Sequence, residues 1–245
     1  MATKFNQGDT VYVPCSRLGV DGISAFCDCK VVGQEKRSVI VSRLSSKPVR
    51  VASSLVRRNI GVLVLRVGDF ASEDTLLDPL AKSALQYCRL LLPDDMVYLR
   101  RVRTLGEVSY YWGREHALYT HVVLISHGTE GALLFGSDTR VKPGQLSEAL
   151  LADKTESKVW ISLACETGKA AFAKGFSEAS AVSDVIAPFH GIHGAVASQF
   201  LQNFLAFNLL KGMATGSAFN RAQKEVVGEV QFRLWRSGKL KQGRK

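Results

Sequence analysis

No window of this 245-residue chain approaches the roughly 18 consecutive apolar residues that a membrane span needs. The richest stretch, Phe200 to Met213, is broken by Gln202, Asn203, Asn208 and Lys211. Residues 1–10 lack an apolar h-region, so no secretory signal is expected. Cysteine is scarce: five residues, an odd number without framework spacing, fit a reduced compartment better than a disulfide scaffold. There is no internal repeat, no GxSxG elbow and no GxGxxG loop. The absences together point to a soluble, cytoplasmic protein with no membrane partner. What is present is globular: 46% apolar and 22% charged residues exclude a disordered tail, a collagen or a coiled-coil rod. The length can bury a full core.

The net charge of +10 belongs to the two ends. Residues 1–60 hold ten Lys/Arg against four Asp/Glu, and residues 221–245 hold eight against two. The stretch between them carries 14 against 16 and is close to neutral. Basic ends attract nucleic acid or an acidic partner at long range, but the commoner meaning of a charge run is a solvated face or a loose tail. Aromatics in the first sixty residues are only Phe5, Tyr12 and Phe26, too sparse for a stacking platform. Any nucleic-acid binding is therefore expected to be weak and sequence-indifferent.

Hydropathy divides the chain into three parts: 1–58, 59–237 and a basic tail, 238–245. In the first, Thr10–Pro14, Ala25–Val32, Ser38–Ser42 and Val49–Ala52 read as short strands between Gly, Ser and Pro turns, which predicts a small antiparallel barrel. Its opening, Gly8 to Pro14, resembles the start of Tudor-like barrels. From Ile60 the pattern changes to a nearly continuous apolar run, the mark of a strand buried on both faces. Helical spacing over Asp74–Leu92 follows, then a strand at Asp95–Val102 and a helix at Leu105–Tyr119. A strand at His121–Ser126, a hairpin at Ala132–Phe135 and a helix near Gly144–Asp153 come next. A strand at Lys158–Ala164, a helix from Lys169, a strand at Val182–Pro188 and a helix at Ala195–Lys211 complete the series. Such alternation predicts an α/β fold, a mostly parallel sheet with helices on both faces.

In such a sheet, ligands bind beyond the carboxyl ends of the strands. Two of those ends carry chemistry. One strand runs out into Ser126, His127 and Gly128; another into Ala164, Cys165, Glu166, Thr167 and Gly168. If the strands are neighbours, an imidazole and a thiol emerge at one edge. Nucleophilic thiol catalysis needs that pair, together with backbone N–H groups for an oxyanion. Gly128 lets backbone approach a substrate carbonyl, and Cys165 precedes a helix whose dipole favours the thiolate. Taken singly, each residue has a plainer explanation, a hydrogen-bonded strand-end histidine or an inert core thiol. The pair is the signal.

The runs His121 to Gly128 and Val159 to Gly168 resemble the His-Gly and Cys motifs of caspase-fold cysteine peptidases, in particular the CHAT family found mainly in bacteria. The order of elements from Val182 to Ala222 is similar too, and the resemblance covers about residues 60 to 235. It implies a caspase-like three-layer sandwich and a cysteine endopeptidase with no cofactor. Cys165 would attack the scissile carbonyl, His127 would protonate the leaving amine, and the N–H groups of Gly128 and Cys165 would hold the oxyanion. It also implies a protein substrate and a regulated role in bacterial defence or cell death, with the N-terminal barrel docking a regulatory partner. Caspase relatives select the residue before the cut by charge. Asp69, Glu166 and His190 are candidate substrate-binding residues, and the two carboxylates lean toward a basic substrate residue. Asp184 lies early in its strand, at the wrong end.

Other chemistries fit worse. Gly168-Lys169 stands before a helix as in a phosphate-binding loop, but Leu163 occupies the position of the first glycine and Ala170 that of the magnesium-binding hydroxyl. Cys15, Cys27 and Cys29, or His190 and His193, lack the paired spacing of a zinc site, so no metal is expected. The alternative reading is a non-catalytic caspase-fold scaffold that binds a partner or nucleic acid through its basic ends.

Overall fold

The alternating N-terminal segments form β1 (Thr10–Pro14), β2 (Phe26–Gln34), β3 (Ser38–Ser42) and β4 (Val49–Ala52). The computed structural model describes residues 4–20, 25–44, 46–68, 72–136, 139–153, 155–228 and 231–243. Period-2 alternation turns Val11, Val13, Val31, Val39, Val41 and Val51 onto one small core. The strands pair antiparallel in the order β1-β2-β3-β4, the small antiparallel β unit that the sequence predicts. After β4 the chain returns along β1, where Arg57 and Tyr12 exchange backbone hydrogen bonds of 2.7 and 3.0 Å.

Cys15 and Cys27 are disulfide-bonded across the β1–β2 ladder, with Cα atoms 5.2 Å apart. This corrects the expectation of thiols alone. Strand pairing puts Val13 opposite Cys27, so the two cysteines meet through register and not through any spacing a motif would reveal.

β5 (Gly61–Val67) begins the second part, buried on both faces as its unbroken apolar run requires. After it come a wide helical turn at Glu73–Leu77, α1 (Asp78–Leu91), β6 (Val97–Val102), α2 (Leu105–Glu115) and β7 (Tyr119–Ile125). α1 has Pro79 in its first turn, where a missing N–H costs nothing. α2 opens on a capping box: Thr104 Oγ1 accepts from the Glu107 N–H, and Glu107 accepts from the Thr104 N–H. The expected hairpin is a three-stranded antiparallel sheet of β8 (His127–Thr129), β9 (Ala132–Phe135) and β10 (Thr139–Val141). The chain continues through α3 (Pro143–Ala149), β11 (Lys158–Ser162), α4 (Ala170–Phe176), β12 (Val182–Pro188), α5 (Gly194–Leu205) and α6 (Thr215–Glu225). It closes with β13 (Phe232–Arg236) and β14 (Lys239–Gln242).

The main sheet has seven strands in the order β14-β13-β12-β11-β7-β5-β6. The five from β6 to β12 are parallel, and β13 and β14 add antiparallel to one edge. Alternate residues of each strand serve opposite layers. Val62, Val64, Val123 and Ile125 pack with α1, α5 and α6, while Leu63, Leu65, Val122 and Leu124 pack with α2, α3 and α4. That is the predicted sandwich of helices, sheet and helices. Residues 239–242, grouped with the tail in the sequence, are a paired edge strand.

The first part has its own core but also packs on the second. Ala25 and Phe26 belong to the same buried cluster as α1 and α5, and the Ala25 N–H donates to the Leu91 carbonyl at 2.8 Å. Several basic residues of the two ends are occupied. The Arg57 guanidinium lies over the Phe26 ring, Arg58 faces Asp9 at 3.3 Å, Arg233 is buried over Phe189, and Arg236 pairs with Asp184 at 2.8 Å.

Candidate active site

β7 and β11 are hydrogen-bonded neighbours running parallel, His121 opposite Val159 through Leu124 opposite Ser162. The condition set by the sequence is met. Their carboxyl ends lie side by side, and the segments that leave them carry His127 and Cys165.

The two segments are in close contact at Gly128. A Cβ on that residue would lie 2.6 Å from the Cys165 carbonyl oxygen, 2.9 Å from the Ala164 Cβ and 2.9 Å from the Thr167 Cγ2. Only glycine fits, so the backbone beside His127 rests directly on the backbone that carries the thiol. The turn after Cys165 is rigidly held. Thr167 is buried, with its hydroxyl donating to the Ala164 carbonyl at 2.7 Å and 2.8 Å from the Ser162 hydroxyl. Glu166 is left-handed (φ +61°), a conformation uncommon for a non-glycine residue and a mark of a turn fixed by its surroundings. The N–H of Gly168 donates to Pro188 and that of Glu166 to His190, which ties the turn to the segment after β12.

Three cysteines are free, and burial separates them. Desolvation pushes the thiol of Cys29 up to about 11 and that of Cys88 up to about 12, so both stay protonated. Cys165 is only half-buried. The Ile192 N–H points at its sulfur from 3.4 Å, and the sulfur lies 3.9 Å from the Ile192 carbonyl oxygen. The helix dipole invoked from the sequence contributes little, because α4 begins at Ala170 and the effect fades within a turn.

His127 is half-buried, and its Nε2 lies 2.6 Å from the Ser72 hydroxyl. Ser72 went unnoticed in the sequence, since a serine 55 residues upstream in a turn carries no motif. Its place is fixed from below. Arg66, buried at the end of β5, lies 3.2 Å from Glu73 and 3.0 Å from Asp78, and Arg103 reaches Glu73 at 3.0 Å. Burial opposes ionisation of Glu73, but the hydrogen bonds and charges of Arg103 and Arg66 outweigh it and hold its pKa below the ordinary value.

Of the candidate substrate-binding residues, Glu166 and His190 lie at this edge. Asp69 lies outside the described residues. The Glu166 carboxylate is paired with the Lys169 ammonium at 2.7 Å, and Glu130 approaches the same ammonium at 3.4 Å. His190 is exposed, its ring against Phe189. Asp184 sits at the far end, as expected, buried against Arg236.

No family model and no curated protein matches this sequence. Among solved structures, the fold is similar to an inactive zymogen C11 protease from Parabacteroides distasonis, at 14% identity and a TM-score of 0.53. That match covers 72% of this chain and 61% of the other, so the chain spans about three fifths of that protein's length. A structure of pro-sf-caspase-1 matches at 13% identity over 68% of this chain and 79% of that one, with a TM-score of 0.44. At such identity the likeness concerns architecture alone, and the architecture shared with the C11 protease is a mostly parallel sheet between layers of helices.

Proposed function

We propose that this chain is a cysteine endopeptidase with Cys165 as nucleophile and His127 as proton carrier. The observation that supports it most is the seating of Gly128 against the Cys165 carbonyl, which brings the ends of two adjacent strands into one site. In the reaction, the Cys165 thiolate adds to the scissile carbonyl carbon and the N–H groups of Gly128 and Cys165 receive the oxyanion. The C–N bond then breaks as the leaving amine takes a proton from His127. Water, deprotonated by the same imidazole, cleaves the thioester and releases the acid, restoring the thiol. Ser72 acts through His127, holding the ring by the hydrogen bond at Nε2.

The CHAT-like motifs suggest a regulated protease of bacterial defence or cell death, working in the cytoplasm. No helix among the described residues is long and apolar enough to cross a membrane. The N-terminal sheet is proposed as a docking module for a regulatory protein. It has its own core, and it presents Leu44, 90% exposed, beside Val20, Arg43 and Lys47. The engaged arginines count against a nucleic-acid surface and hence against the scaffold reading. The test is cleavage of an unbiased pool of denatured proteins. Wild-type chain should produce new N-termini and Cys165→Ala should produce none; equal cleavage by both would refute the proposal.

A further inference from the structure

Resting on that reading, the geometry points to the groove between α1 and α5 as the pocket for the substrate side chain next to the cleaved bond. We propose that it takes an uncharged side chain with an apolar stem and a hydrogen-bond acceptor at its end, glutamine above all.

The groove begins at the candidate site. Ile192, whose N–H faces the Cys165 sulfur, forms part of its wall, and so do Thr75 and Leu76, three and four residues beyond the Ser72 that holds His127. It runs down between the two helices with a volume of about 680 Å³. The mouth is apolar: Leu76, Pro79 and Ile192 face it, and Gly194 keeps it open, since a Cβ there would come within 3.0 Å of Leu76. No Asp, Glu, Lys or Arg is among the described residues that line it. The one titratable side chain there, His193, has Nδ1 turned to the start of α5, where it accepts from the Ala195 N–H.

One helical turn further along, the lining is polar, and its protons can be counted. Ser83 Oγ and Ser198 Oγ lie 2.7 Å apart, and the Gln202 amide donates to both, at 3.4 and 3.0 Å. Two hydroxyls bring two protons, and their mutual bond uses one. Both oxygens already accept from Gln202, and the described residues give the second proton no acceptor. That proton can be donated into the groove. A side chain ending in an amide oxygen satisfies it. A carboxylate or an ammonium would give up hydration in a groove whose described lining residues offer no opposite charge. The acidic candidates do not alter this at the described positions, because Glu166 already holds Lys169.

Peptidyl acyloxymethyl ketones that differ only in the residue beside the ketone test the pocket without turnover, through the rate at which they alkylate Cys165, located by mass spectrometry of the full chain. The glutamine probe should react about tenfold or more faster than the lysine, arginine, aspartate and glutamate probes, the discrimination expected of a site built around a hydrogen bond. Replacing both hydroxyls, Ser83→Ala with Ser198→Ala, should bring glutamine down to the rate of leucine while the charged probes stay slow. Equal rates for all probes, or a faster charged probe, would overturn the proposal. So would an undiminished glutamine preference in the double variant, with folding verified by its thermal melt. Selective labelling by a chain that hydrolyses no peptide would retire the peptidase reading and leave the pocket standing.

Discussion

One histidine lies near the start of β7 and another just past its end, and the two have opposite settings. His121, third in the strand, is buried, with Nε2 2.9 Å from the Asn208 side-chain oxygen and Nδ1 2.8 Å from the Thr120 hydroxyl. Desolvation, helped by nearby Arg57, drives its pKa down to about 3, so it is neutral and structural. His127, just past the other end, is half-buried and held by the Ser72 hydroxyl at the edge where Cys165 emerges. Six positions along the chain separate a histidine that serves packing from the one proposed for chemistry. The difference lies in which end of a parallel sheet opens to a ligand.

The largest effects should fall at the open end. Cys165→Ala should lower cleavage by on the order of 10³-fold or more, and His127→Ala by roughly 10²- to 10⁴-fold, both with melting temperatures close to wild type. His121→Ala should do the reverse, lowering stability far more than kcat per folded molecule. Activity assays paired with thermal melts on the three variants check this. Loss of activity in a stable His121 variant would erase the contrast.

The closed end makes a second prediction through pH. With a folded pKa of about 3 against an ordinary 6.5, His121 takes up a proton only in the unfolded chain between those values. Its contribution is thus complete above pH 6.5 and falls, by about 1.4 kcal/mol per pH unit, as pH drops toward 3. Urea midpoints between pH 6.5 and 5, above the main carboxylate range, should decline in wild type and decline less in His121→Asn. His116, also shifted down by burial and by Lys158, stays in both chains and cancels in the difference. Parallel slopes would contradict the burial argument.

Much of this contrast was legible in the sequence. Nearly continuous apolar runs within Ile60–Val67 and His121–Ser126 are what a strand buried on both faces demands, and they located the central sheet. The position of His127 and Cys165 at strand ends followed, because only the adjacency of β7 and β11 remained to be seen. The third part of the sheet was hidden by charge. β13 and β14 include Arg233, Arg236, Lys239 and Lys241, part of a basic end whose last residues, 238–245, read as a tail, yet Phe232, Leu234 and Trp235 are buried and the two arginines find Phe189 and Asp184. The Cys15–Cys27 bridge and the Ser72–His127 contact depend on register and on a turn, neither of which leaves a trace in local pattern.

Gly128 sharpens the comparison by steric means. Gly128→Ala places a methyl group against the Cys165 carbonyl and the Thr167 side chain, so the segment carrying the thiol must shift. Overpacking of this kind costs about 1–3 kcal/mol, and cleavage should fall on the order of tenfold or more, as a small misplacement of reacting groups does. The matched control is Gly113→Ala on α2, where a Cβ meets nothing within 4 Å. It should leave both quantities near wild type. A fully active Gly128→Ala chain would mean that the two strand ends need not be in contact to work.

The smallest expected effect belongs to Ser72, and it bears most directly on how the open end is organised. The hydroxyl contributes one hydrogen bond, worth about 1 kcal/mol net, so Ser72→Ala should lower kcat roughly fivefold. If Ser72 only supported the turn, the loss would appear in the melting temperature and leave kcat per folded molecule in place. If it orients the imidazole, kcat falls while KM and the melting temperature hold. Ser72→Thr, which keeps the hydroxyl, should restore the rate. A Thr variant as slow as Ala, with the melting temperature lowered in both, would assign the 2.6 Å contact to packing.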